Sequence, residues 1–232
     1  MSDGDIFREV EEEVRKEQYK KIWDQYGTYI IGAAVAIVAI VAGYQFWVQW
    51  SASKAATAGT QFESADTLSN TGKTSEANKI FQSLIEGGPQ GYQVLSKFRL
   101  AANSAADGQV DEAVKLYDEL AKSGSVDKLL QDFAQIQAAM LLIDKADPNQ
   151  IKSRIGQLSE GSGPWRFSAQ EMMGLSAYRS GDKKLAEDYY SKLIGAPDVP
   201  LNIRQRAEMM LSLLIEEKPG SSKGQNDDTK SN

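Results

Sequence analysis

Residues 101–120 read AANSAADGQVDEAVKLYDEL, and five of them return in the same register three more times. Ala101 is followed by Gly108, Ala113, Tyr117 and Leu120, and one period upstream stand Ala65, Gly72, Ala77, Phe81 and Leu84. Downstream come Ala139, Ala146, Ile151, Ile155 and Leu158, then Gly174, Gly181, Ala186, Tyr190 and Leu193. The frames start 36, 38 and 35 residues apart. A period near 35, with room for two helices and a turn, predicts a stacked array of helical hairpins. Arrays of this kind mostly bind other polypeptides.

The residue types fit that geometry. A small residue on the first helix lets its partner's backbone approach closely. Gly72, Gly108 and Gly181 fall where a first helix must end, in a left-handed conformation that only glycine adopts cheaply. The ring and the leucine lie three apart on the second helix and share one face, which fills the seam to the next unit. These residues form the tetratricopeptide-repeat pattern, without the usual aromatic near the start of each unit. The third unit is the most eroded. It carries Ala146 at the turn and Ile151 at the small position, and Asp147-Pro148 gives it a different helix start.

Composition narrows the chemistry. The 232 residues contain no Cys and no His, so disulfides, thiolate nucleophiles, His–carboxylate couples and the usual zinc cages are excluded. The 32 acidic residues leave a carboxylate-only site conceivable, although they are scattered at helical spacing. A net charge of −6 argues against a nucleic-acid partner, which needs a concentrated basic footprint. No cofactor, metal ligand or catalytic residue is expected.

Upstream of the repeats, Tyr29 to Tyr44 carries no charge, and with Gln45 tolerated the run reaches Val48. About 20 residues at roughly 1.5 Å each span a hydrocarbon core of about 30 Å. Trp23, Tyr26 and Tyr29 precede the run and Tyr44, Phe46, Trp47 and Trp50 close it, the belt of rings expected at two headgroup zones. A buried core helix fits poorly, because the run has no polar face. A cleaved signal peptide fits less well than an anchor, since the preceding 28 residues are long and acidic; Ser51-Ala52-Ser53 is its weak cleavage site. Arg15, Lys16, Lys20 and Lys21 lie before the run and only Lys54 closely after it. The positive-inside bias then puts the N-terminus in the cytoplasm and the repeats across the membrane, in the periplasm of a Gram-negative cell. Small residues at Gly32, Ala36, Ala39 and Gly43 give a weak dimerisation signal.

The expected layout is all-α. A charged cytoplasmic helix occupies 1–28, the transmembrane helix 29–48 and a helical connector 49–57. A tetratricopeptide-like α-solenoid of about four helix pairs plus a capping helix occupies 58–217, and a disordered tail 218–232. In the first segment Ile6, Val10 and Val14 form one stripe and Glu12–Lys16 and Glu17–Lys21 make i,i+4 pairs. The cap, Leu201 to Glu217, reads as a polar-backed end for the stack. The tail has no apolar residue with which to offset its ordering entropy.

First helices are expected to line the inner side of the array through the positions three before, one after and four after each small residue. These are Phe62, Asp66 and Ser69; Phe98, Ala102 and Ala105; Ile136, Met140 and Ile143; Glu171, Leu175 and Tyr178. No Lys/Asn constellation for clamping a C-terminal carboxylate appears among them. The apolar members, Phe62, Phe98, Ile136, Met140, Leu175 and Tyr178, form the candidate partner-binding groove. The competing expectation is that they pack on one another.

The order of these parts resembles the ancillary subunit of the SecYEG translocon, the YfgM-type family of membrane-anchored tetratricopeptide-repeat proteins. It does so over residues 4 to about 217. Lys20-Lys21-Ile22-Trp23, the 29–48 anchor, and the Ala113/Tyr117 and Ala186/Tyr190 signatures carry the likeness. The resemblance implies a single-pass inner-membrane protein with periplasmic repeats. Its partners would be the SecYEG translocon, a membrane-anchored periplasmic chaperone of the prolyl-isomerase class, and unfolded secreted polypeptides, with membrane lipid around the anchor. It implies no catalytic residues. Two other expectations compete: a structural organiser of envelope or cell-division machinery, distinguished by what co-purifies, and an enzyme built on a desolvated carboxylate pair.

Overall fold

The computed structural model describes the backbone of residues 3–216, with side chains from Arg15 onward except Glu17, Gln18 and Ile22. The Ile6/Val10/Val14 stripe, the Glu12–Lys16 and Glu17–Lys21 pairs and the tail 218–232 lie outside those described parts. Among the described residues the chain is entirely α-helical, as the repeat pattern predicts. The helices are α1 Asp3–Asn70, α2 Thr74–Gly87, α3 Gln90–Ala106, α4 Val110–Lys122, α5 Lys128–Leu142, α6 Pro148–Glu160, α7 Arg166–Arg179, α8 Lys183–Gly195 and α9 Leu201–Glu216. The chain divides into two compact units, Met1–Thr57 and Ala58–Asn232.

The described part of the first unit lies within α1. Its apolar stretch is exposed throughout 29–48, with Tyr29 at 77 % and Phe46 at 75 %. Among the described residues this is the one helix long and apolar enough to cross a membrane.

In the second unit the frame residues find the places their types require. Ala65, Ala101 and Ala139 are fully buried, and so are Ala77, Ala113, Ile151 and Ala186. Phe81, Tyr117, Ile155 and Tyr190 are buried sixteen residues after each small residue. Residues 58–70 of α1 pair with α2, α3 with α4, α5 with α6, and α7 with α8. The first hairpin meets the second through the Phe62 and Tyr92 rings, 6.0 Å apart, and apolar clusters join the later hairpins to their successors. Tyr117, Leu120 and Ala134 share one cluster across α4 and α5; Ile151, Ile155 and Met172 share another across α6 and α7. Tyr190, Leu193 and Ile203 tie α8 to α9. The later hairpins thus bury part of their apolar faces against the next unit, as stacked repeats require.

Three of the four joints are closed alike. Gly72, Gly108 and Gly181 hold φ of 82°, 79° and 85°. The next residue's N–H reaches five back, as from Gln109 to the Ser104 carbonyl at 2.8 Å, which satisfies a carbonyl the helix end orphans. The third joint uses other chemistry. The Asp147 carboxylate accepts from Asn149 N–H at 2.8 Å while Asp147 N–H donates to Gln150 Oε1 at 3.2 Å, and Pro148 opens α6. The end of α5 is closed without a glycine, by the Lys145 and Ala146 N–H groups donating to the Leu142 carbonyl at 3.0 and 2.8 Å, and a capping box then starts α6.

Candidate functional site

The first helices present the candidate surface, and its three rows have different fates. The row three before each small residue is used by packing. Phe62 meets Phe81 edge-on at 5.5 Å and Tyr92 at 6.0 Å. Phe98 lies 6.0 Å from Tyr117 and 5.5 Å from Phe133. Ile136 is only 5 % exposed and belongs to the cluster beneath α6 and α7. Glu171 accepts a bidentate pair from Arg206 at 2.5 and 2.7 Å.

The row four after is mostly occupied as well. Ser69 donates to Asn103 Oδ1 at 2.9 Å, and Asn103 donates to Asn78 Oδ1 at 2.7 Å. Ile143 and Tyr178 are half-buried against neighbouring clusters, and Ala105 is half-buried. The row one after keeps the accessible apolar surface. Ala102 is exposed, Met140 is 51 % exposed and Leu175 is half-buried, while Asp66 pairs with Arg99 of the next unit.

Two features join successive units; Asp66, Phe98 and Glu171 in them were named from the sequence as inner-face residues, but their partners were not. One is a chain of rings: Phe98 touches Phe133, which stacks on Trp165 at 4.9 Å, and the Trp165 indole N–H donates to the Leu129 carbonyl at 2.9 Å. The other is a set of ties about one period apart. They are Asp66–Arg99, Asp118–Arg154 at 2.5 Å, Asp144–Arg179 at 2.7 Å and Glu171–Arg206. The signal was in the sequence, as an acidic residue followed by an arginine 33 to 36 positions on. It is readable only once the period is known.

Electrostatics at the interior are those of a packing core. Burial pushes the Tyr117 and Tyr189 phenols above their ordinary range, Tyr189 also feeling Glu160. Tyr190 is raised further, first by burial and then by Glu171 and Tyr178. Hydrogen bonding to Glu171 holds the Arg206 guanidinium more firmly charged than usual. A cleft of about 180 Å³ between α3 and α4, lined by Val94, Lys97, Glu119 and Leu120, is smaller than the roughly 300 Å³ at which ligand pockets begin. Among the described residues no three carboxylates gather where a metal ion could be held.

A family model described as the tetratricopeptide repeat-like domain matches residues 20–209. The chain belongs to that family. The match takes in every frame residue of the four hairpins and extends upstream through the apolar stretch. Among curated proteins and solved structures none matches the chain. The tetratricopeptide repeat-like fold is typically a non-enzymatic interaction scaffold, and protein partners are its ordinary ligands.

Proposed function

We propose that this tetratricopeptide repeat-like protein is a membrane-anchored, non-enzymatic scaffold that holds other polypeptides against its first-helix face. The observation that carries the reading is one chain bearing both an uncovered apolar stretch at 29–48 and a four-hairpin array. Lipid is the natural cover for such a stretch, and the flanking rings suit headgroup zones. Arg15, Lys16, Lys20 and Lys21 on its N-terminal side favour a cytoplasmic N-terminus and periplasmic repeats. Likeness to the YfgM-type family gives the finer reading: association with the SecYEG translocon and a periplasmic prolyl-isomerase-type chaperone, assisting the handover of secreted polypeptides. An anchor beside a channel exit raises local concentration, so weak binding suffices.

On this reading the accessible apolar row, Ala102, Met140 and Leu175, makes first contact with the client. Phe62, Phe98 and Tyr178 form its half-buried floor, and Ile136 supports it from within the core.

A detergent-solubilised pulldown from membranes tests the assignment. SecYEG with a periplasmic chaperone is the expected set. Division or cell-wall proteins without SecYEG would instead support the organiser reading. Topology is tested separately: protease added to spheroplasts should digest residues beyond 57, and protection there with digestion in inverted vesicles would reverse the orientation.

A further inference from the structure

One period of 35 residues on from Gly174 stands Met209 in α9, and the contacts keep that register. Glu171, three before Gly174, pairs with Arg206, three before Met209. Ala207, two before Met209, is fully buried against the preceding hairpin, and Met172, two before Gly174, is 9 % exposed and packs against the hairpin before it. The helix is therefore the first half of a fifth unit.

In the four complete units the position of Met209 holds a small residue covered by its own second helix. Ala65, Ala101 and Ala139 are 0 % exposed, and Gly174 lies against Tyr190. Met209 is 64 % exposed, and Leu213, four residues on along the same face, is 38 % exposed. Its equivalents Ile143 and Tyr178 are packed against clusters. The repeat pattern does not continue through residues 217–232. At 12, 16 and 19 beyond Met209 they carry Ser221, Gln225 and Asp228, where complete units carry Ala or Ile, a bulky apolar side chain and Leu.

We infer that the Met209/Leu213 face of α9 receives an amphipathic helix from a protein partner, seated where the second helix of a fifth unit belongs. The seam is continuous with one this chain makes four times, and that continuity fixes the occupant's chemistry. It is a helix with a small residue, a bulky apolar residue four on and leucine three beyond that, as in Ala113, Tyr117 and Leu120. A second copy of the chain is not the occupant. Each helix of that pattern among the described residues (α2, α4, α6 and α8) is already committed to its own hairpin.

The test uses the full-length chain in lipid nanodiscs and a fluorescein-labelled peptide of residues 110–122, VDEAVKLYDELAK, read by anisotropy. Saturable binding is expected, about tenfold weaker for Met209→Asp and for Leu213→Lys, as when a central contact of a helix seat is lost. Both side chains are exposed, so the melting temperature of each variant should match the parent. A peptide with Ala113 and Tyr117 interchanged should bind at least about tenfold more weakly. Absent saturation, or binding indifferent to both variants, overturns the inference. So does a photo-crosslinker at Met209 that joins two copies of the chain instead of the peptide.

Discussion

A Cβ built on Gly174 would stand 3.0 Å from Cζ of Tyr190 and 3.2 Å from Cβ of Tyr189. Tyr190 is 1 % exposed and has no room to yield. Gly174→Val should therefore destabilise the protein by about 1–3 kcal/mol in urea unfolding, the usual cost of overpacking. Gly91→Ala, in α3 with nothing within 4 Å, should be neutral or gain up to about 1 kcal/mol from helix propensity. Equal losses at both sites would mean the small positions are not contact points. The buried phenols give a pH test. Their pKa values are raised in the fold, so folded and unfolded chains are both protonated below pH about 10 and the phenols leave stability unchanged there. Above it the unfolded chain releases protons that the folded chain keeps, and stability falls as pH rises. Tyr190→Phe should flatten the decline of melting temperature above pH 10, and an unaltered slope would remove Tyr190 as its source. The frame residues were legible because size alone decides them: small against a helix, ring or leucine in a seam. Ile136 was harder. Its spacing places it on the first-helix face, but only the closeness of α6 and α7 determines that it is buried.

The joints between helices of a pair use two chemistries, a left-handed glycine at three and a capping box at the third in chain order, and substitutions should separate them. Gly108 holds φ 79°, so Gly108→Ala should cost about 1–2 kcal/mol through left-handed strain. At the eroded third joint Asp147→Ala removes the capping box and should cost about 1 kcal/mol. Chemical denaturation of the two variants checks both, and an indifferent Asp147→Ala would mean that Pro148 alone starts α6. This joint was half legible: Asp147-Pro148 read as a helix start, but how α5 ends without a glycine, on the Leu142 carbonyl, did not. The last helix covers the fourth hairpin through Ile203, Ala207 and Leu214, as expected, but its outer side is less polar than expected. Its sequence reads as a polar-backed cap, yet Leu201, Met209, Leu213 and Ile215 are exposed. The period explains why, since α9 keeps the first-helix register of the preceding units.

Across the repeat unit, ties one period apart hold neighbours in register. Asp118–Arg154 joins second helices through two hydrogen bonds, at 2.5 and 3.1 Å, and Phe98–Phe133–Trp165 joins the first-helix side. These links consume much of the surface that spacing alone assigns to a partner, and they leave the Ala102, Met140 and Leu175 row for contact. The period reveals which face a residue shares; it does not reveal how far consecutive first helices close over it. The decisive measurement is photo-crosslinking in intact cells from Met140 compared with Lys115, whose side chain is 65 % exposed on α4. The scaffold account predicts that Met140 traps secreted polypeptides or a periplasmic chaperone while Lys115 traps little. Equal capture from both positions would contradict it.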